Sequence, residues 1–242
     1  MASGTHCSRA GTKRNGIDEP KGRHATVLNG LRPGPPRGVE EPLRAPRTGV
    51  MGHGSSLCQR GAVESVVEFR GLDRTELSRV VEIDRRERID VLYDQHGTQL
   101  VARHGNFSAS AWDLDGHGEH SVEAQVHALQ YHVDKGGIAL GAFASGRLVG
   151  IGVVVPHLRP GIAQLAWLHV TAPLRATGIG TRLSEQLEQI ARTAGDSDMV
   201  VSATPSENTV RFYLGRGFRP MAEPLAELFE LEPDDVHMRK VL

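Results

Sequence analysis

The chain has 242 residues, is 39% hydrophobic and 24% charged, and carries a formal net charge of −1. That length allows one domain or a small two-domain protein, and its apolar runs fall well short of the ~18 residues a membrane span needs. Cys7 and Cys58 are its only cysteines and both lie near the N-terminus, so neither disulfides nor a thiolate metal site supports the rest. With no start that reads as a secretory signal, the expectation is a cytoplasmic protein.

Charge and composition divide the chain. Residues 1–60 hold ten Lys and Arg against four Asp and Glu, a net of +6 that leaves −7 for the remainder. The same stretch contains ten glycines and six prolines, with few large apolar residues. Such a segment cannot bury enough surface to offset chain entropy, so it is expected to be a disordered Gly/Pro/Arg-rich tail. Met51 is an alternative start. A transit peptide fits less well, because the acidic residues and prolines oppose an amphipathic helix. A domain is expected over residues 61–242.

Within it, residues 63–69 alternate as a strand does. Asp73 stands three residues before Glu76, a capping-box pattern, and Leu77, Val80 and Val81 recur at helical period toward Arg85. Ile89, Val91 and Tyr93 alternate, Gln95-His96-Gly97 breaks the pattern, and Leu100-Val101 resumes it, which predicts a β-hairpin within 88–105. Residues 106–118 read as a polar loop. A helix with Val122, Val126, Leu129 and Val133 on one stripe is predicted from near Glu119 to Val133, stopped by Gly136-Gly137. Residues 138–143 and 148–155 flank Ser145-Gly146 as a hairpin, a Pro/Gly loop follows over 156–161, and residues 164–170 form the next strand. A helix over 178–193 places Ile179, Leu183, Leu187 and Ile190 on one face. A short strand at 199–201, a helix over 206–216 and a strand over 236–241 complete the chain. This order, with its βαβ connection, predicts an α/β fold with one mixed central β-sheet flanked by helices.

Residues 164–183 carry the clearest functional pattern. An apolar run (Leu165 to Val170) enters the turn Thr171-Ala172-Pro173-Leu174. Then come Arg175-Ala176-Thr177-Gly178-Ile179-Gly180-Thr181 and a helix. Glycines at a loop-to-helix junction leave unpaired backbone N–H groups aimed at one spot, which the helix dipole makes positive. That is a place for a phosphate or pyrophosphate. A Walker loop would end in Gly-Lys-Ser/Thr, which is absent, and a dinucleotide fingerprint would need a third glycine where Leu183 stands.

What remains resembles the acetyl-CoA loop of the GNAT N-acetyltransferase superfamily, Arg/Gln-x-x-Gly-x-Gly/Ala, matched at every specified position by Arg175 to Gly180. A second motif stands some thirty residues on. There Phe212-Tyr213-Leu214-Gly215-Arg216-Gly217-Phe218 resembles the Phe-Tyr-x-x-x-Gly-Phe end of a GNAT helix, with a helix and a strand between the two motifs. The family often has a cofactor-contacting Asn seven residues before that Tyr. Here Ser206 holds the position and Asn208 lies two residues later.

The resemblance implies an acetyl-CoA-dependent N-acetyltransferase acting on a primary amine of a small molecule or peptide, with acetyl-CoA as co-substrate and no metal. It implies that the backbone of Leu168, His169 and Val170 pairs with pantetheine. Arg175, Ala176, Thr177, Gly178, Ile179, Gly180 and Thr181 would cradle the pyrophosphate, with Ser206 or Asn208 toward the pantetheine. Tyr213 would protonate the departing thiolate, a phenol of pKa near ~10 being a reasonable match for that group; its other reading is a core aromatic. His169, beside the expected thioester, is the first candidate base, ahead of Glu119, His120 and Glu207. Arg182 is either a phosphate contact or a solvated arginine. His117-Gly118-Glu119-His120 lacks the i, i+4 spacing of a helical zinc pair.

Two other functional classes remain at this stage. One is a non-catalytic acyl-CoA-binding or regulatory domain. The other is a nucleic-acid-associated protein using the basic tail, which the domain's −7 does not support. Neither nucleic acid nor a membrane is expected as partner, and a homodimer would follow family habit. The domain's acidity favours a cationic acceptor such as a polyamine, an aminoglycoside or a lysine side chain.

Overall fold

The computed structural model describes residues 32–33 and 66–242; the tail expected over 1–60 and the first residues of the strand expected at 63 otherwise lie outside the described residues. In chain order the elements are β1 (Arg32–Pro33), β2 (Glu68–Gly71), a 3₁₀ segment (Arg74–Glu82), β3 (Glu87–His96) and β4 (Gln99–Ala109). There follow α1 (Val122–Asp134), β5 (Ile138–Ala144), β6 (Arg147–Arg159), β7 (Ile162–Val170), a short 3₁₀ turn (Ala172–Leu174) and α2 (Ile179–Ala194). The chain closes with β8 (Asp198–Ala203), α3 (Glu207–Gly215), β9 (Arg219–Pro220), α4 (Ala226–Leu231) and β10 (Val236–Val241).

Seven strands form the central sheet in the order β2-β5-β6-β7-β8-β10-β9. Every neighbouring pair is antiparallel except β7 and β8, which run parallel across the α2 crossover. The sheet is therefore mixed, as the element order predicts. The hairpin of β3 and β4 stands apart from it, in a three-stranded sheet β1-β4-β3. Its tip is the Gly97 turn at φ +60°, and β3 reaches α3 through a bridge from Leu92 to Ser206 and a Tyr93 N–H bond to the Pro205 carbonyl.

Several boundaries differ from the expectations for identifiable reasons. The first helix is 3₁₀ rather than α, although the Asp73–Glu76 capping box forms as its spacing predicts. Residues 106–109 belong to β4, not to a loop, because cross-strand pairing with β3 continues to Ala109. Helix α1 starts later than Glu119, since Ser121 is the residue that accepts from Ala124 N–H as N-cap. The loop expected over 156–161 is mostly strand: β6 runs through Pro156 on an irregular register, and the reversal is confined to Pro160-Gly161, with Gly161 at φ +74°. Helix α4 is too short and irregular for periodicity to show it.

One apolar layer covers each face of the central sheet. On one face Leu183, Leu187 and Ala191 of α2 pack on Leu165, Met199, Val201 and Met238, joined by Val210, Tyr213 and Phe218. Full burial of each such leucine contributes about 1.5–3 kcal/mol. Gly152 of β6 permits this close approach, since a Cβ there would stand 2.6 Å from Leu187 Cδ1. On the other face Leu77, Val80 and Ile83 of the 3₁₀ segment and Leu129 of α1 pack on Ile151 and Val153. No helix among the described residues is long and apolar enough to cross a membrane.

Candidate active site

The site begins where the only parallel pairing of the central sheet stops. β7 and β8 pair at Ile162, Ala163 and Gln164 against Asp198, Met199 and Val200, and not beyond. A bulge on β7 contributes to the divergence: Leu165 faces Val154 and Trp167 faces Val153, so Ala166 is an extra residue that sharpens the local twist. From Leu165 to Val170 one edge of β7 therefore faces an opening rather than a strand. A cavity of about 590 Å³ fills it, within the range of small-molecule sites.

Helix α2 supplies one end of the cavity. Ala176 and Gly178 stand at φ +61° and +90°, and Gly178 is the N-cap. Arg182 is the first residue to bond back into the helix, on the Gly178 carbonyl at 3.0 Å, so the N–H groups of Ile179, Gly180 and Thr181 have no intrahelical partner. A Cβ at Gly178 would meet nothing within 4 Å, and the residue lines the cavity. The glycine is required by its left-handed backbone, and an anion can reach the amides unobstructed.

Arg175 lines the cavity and is tied into the wall by its own hydrogen bonds. Its guanidinium donates to the carbonyls of Val170 (3.3 Å), Arg85 (3.0 Å) and Arg86 (3.3 Å) and to Glu87 Oε2 (3.0 Å). Glu87 Oε1 in turn accepts from Asn208 Nδ2 at 2.8 Å. Arg175, Glu87 and Asn208 thus brace the glycine loop, the start of β3 and the start of α3 together.

The other expected residues separate. Leu168, His169, Val170, Arg175, Ala176, Gly178, Gly180, Thr181, Asn208 and Tyr213 all line the cavity. Ile179 points into the core. Thr177 Oγ1 donates to the Leu174 carbonyl at 2.7 Å. Ser206 is buried as the N-cap of α3 and accepts from Thr209 N–H, which is the helix-capping reading of that position. Arg182 lies over the Phe69 ring at 4.6 Å. Glu207 pairs with Arg211 at 3.1 Å.

Strand alternation turns His169 away from Leu168 and Val170, whose side chains join the α2 layer. Its ring meets Trp167 at 5.5 Å and Trp112 at 5.8 Å. Burial, then the charges of Arg85 and Arg175, push its pKa down to about 3. His120 also lines the cavity and is lowered by burial and by Arg85. Tyr213 is held edge-on between Phe212 and Phe218 at 5.2 and 5.3 Å. Burial, with Asp235 and Glu232 nearby, raises its pKa further above the ordinary phenol value, so the hydroxyl keeps its proton.

Three wall residues carry no motif signal. Arg85 is buried in the link between the 3₁₀ segment and β3. Glu232 and Asp235 line the β8 side, both raised chiefly by burial. Ser202 and His237 adjoin them, 3.3 Å apart as paired residues of β8 and β10. The only sequence cue was that charged residues flanked apolar runs, which is common everywhere.

Comparison with known proteins agrees with this geometry. The model described as Acetyltransferase (GNAT) family matches residues 107–218. These residues belong to the GNAT acetyltransferase family. Solved structures show the same fold. Nourseothricin acetyltransferase is 13% identical with a TM-score of 0.55, over 72% of this chain and 98% of that one. A protein assigned as a streptothricin acetyltransferase of Bacillus anthracis str. Ames, in complex with acetyl coenzyme A, is 16% identical with a TM-score of 0.54, over 73% and 98%. At these identities the likeness is one of fold. A search of curated proteins finds no significant match. The GNAT match spans β7, the glycine loop, α2 and the Phe212-Tyr213 helix, and so contains most of the cavity wall.

Proposed function

We propose that the protein is an acetyl-CoA-dependent N-acetyltransferase that transfers an acetyl group to a primary amine of a small molecule or peptide. The observation that carries this reading is the cavity between the diverging β7 and β8, which opens at one end on the free N–H groups of α2. On this reading residues 61–242 are the catalytic unit, residues 1–60 are a tail, and the reaction takes place in the cytoplasm.

Acetyl-CoA supplies an acetyl group activated as a thioester. The amine nitrogen forms a bond to the carbonyl carbon as the carbon–sulfur bond breaks, and the amine proton must leave. The α2 amides with Gly178 and Gly180 hold the phosphates, and the open edge of β7 receives the extended arm. Tyr213 enters as a hydrogen-bond donor to charge developing on sulfur. Its raised pKa makes full proton transfer to a thiolate uphill, so it steadies the charge instead of discharging it. His169 enters as a neutral polar group, because a ring that charges only near pH 3 cannot store the amine proton at pH 7. Glu232, a cavity carboxyl raised by burial, suits that role better.

Thiol release from acetyl-CoA, followed with a panel of amines, tests the proposal. Amine-dependent release with formation of the N-acetyl product supports it. Tight acetyl-CoA binding without turnover of any amine would leave the non-catalytic binding domain as the better reading.

A further inference from the structure

We infer that the acceptor amine also carries a carboxylate, as an amino acid does, and that Arg85 receives it; this rests on the acetyl-transfer reading above. Arg85 is 3% exposed, lines the cavity, and has no hydrogen-bond partner for Nη1 or Nη2 among the described residues. Trp167 Nε1, on the same wall, is buried and equally without a partner. The neighbouring acids act on Arg85 through their charge but give Nη1 and Nη2 no hydrogen bond. Glu87 holds Arg175 and Asn208, and Glu119 lies 3.6 Å from His120 Nε2.

Among the described residues, four unpartnered polar atoms stand at this end, Arg85 Nη1 and Nη2, Trp167 Nε1 and His120 Nε2, and the first three are donors in every protonation state; Asp235 Oδ1, also unpartnered, stands on the β8 side. A carboxylate is the chemical complement of those three donors, since it only accepts and can take a planar guanidinium through two oxygens. A guanidinium cannot shed its proton in this setting, so its burial is best compensated by an anion. The indole and imidazole rings define where the rest of such a molecule would lie. Arg85 stands 4.8 Å over the Trp112 ring, and Trp112 and Trp167 flank His169. Trp112 Nε1 already donates to the Ile83 carbonyl at 2.8 Å, so that ring offers only an apolar face. A small amino acid can thus place its carboxylate on Arg85 with its amine toward the cavity centre. At this end a polyamine or aminoglycoside would bring cations against Arg85, while the carboxyls of Glu232 and Asp235 stand on the β8 side.

The test is thiol release from acetyl-CoA by the full chain, with each standard amino acid compared with its own carboxamide. Calorimetry with acetyl-CoA alone runs in parallel. At least one amino acid should be turned over with kcat/KM about 100-fold above its amide, as expected when a buried charged donor loses its partner. In Arg85→Gln that preference should fall to within about threefold, mainly through KM, with acetyl-CoA affinity unchanged. Arg85→Lys should retain part of the preference. A single cooperative melting transition of Arg85→Gln checks that the variant is folded. Equal use of acid and amide, preference for polyamines, or no amino acid turned over by a chain that binds acetyl-CoA would each overturn the assignment while leaving the acetyl-transfer reading standing. Failure to bind acetyl-CoA would overturn the transferase reading itself.

Discussion

The two ends of the cavity are built from different materials. At α2 the wall is backbone, formed by amides freed by a left-handed Gly178 with no side chain in the way. At the far end it is side chain: Arg85, Trp112, Trp167 and His169, drawn from two linking segments and β7. The backbone end depends on local conformation, so a short motif can encode it. The side-chain end depends on which distant segments meet, so its chemistry can change without altering the fold. Arg175 ties the two together, one hydrogen bond reaching the carbonyl of Arg85 and another that of Val170.

The sharpest way to break this contrast is to put charge where only backbone should matter. Asp and Asn both tolerate left-handed backbone and both cap helices, so they differ at Gly178 almost only in charge. Gly178→Asp should weaken acetyl-CoA binding by about 100-fold relative to Gly178→Asn, as a carboxylate facing phosphate costs several kcal/mol. Calorimetry would read the affinities, and melting curves should show the two variants close to each other, both somewhat below the parent because the left-handed backbone favours glycine. Equal affinities would move the phosphates away from α2.

Next in size is Tyr213→Phe. Loss of a hydrogen bond to a charged sulfur should lower kcat roughly 10- to 100-fold, with acetyl-CoA affinity unchanged. An unaltered kcat would return Tyr213 to the core, where its ring already packs with Phe212 and Phe218.

These two residues also mark what the sequence disclosed. The glycine loop and the Phe-Tyr helix are contiguous in the chain, so their patterns are readable, and the mixed sheet follows from element order. The hairpin at 87–109 was visible as alternation, but its separation from the main sheet was not, because pairing partners are not written in a strand's own pattern. Arg85, Glu232 and Asp235 were missed for the same reason: burial is conferred by segments far away in sequence. Arg175 was legible as a motif residue, yet its work as a brace required Glu87 on β3, which no motif includes.

A smaller effect tests that brace. Glu87→Gln leaves the shape of the side chain but removes the charge between Arg175 and Asn208. It should cost about 1 kcal/mol of stability and weaken acetyl-CoA binding a few-fold. A larger loss of affinity than of stability would give Arg175 a direct hold on phosphate after all.

The smallest expected effect lies in the pH dependence of stability. Burial raises the carboxyls of Glu232 and Asp235, so the folded chain keeps protons that the unfolded chain releases near pH ~4.3. Their contribution is fully present below that pH and is lost as pH rises toward and through the raised folded values. Glu232→Gln should therefore flatten the decline in melting midpoint between about pH 4.5 and neutrality, and leave the midpoint at neutral pH above that of the parent. A parallel shift at all pH values would show that Glu232 titrates normally.

The most direct test of the central claim is calorimetric titration of the full chain with acetyl-CoA, beside a titration with acetylated pantetheine that lacks the nucleotide and pyrophosphate. Micromolar binding of acetyl-CoA, with acetylated pantetheine bound at least tenfold more weakly, is the predicted result, because the α2 amides would lose their anion. Equal affinity for the two, or no binding by a folded sample, would contradict the account.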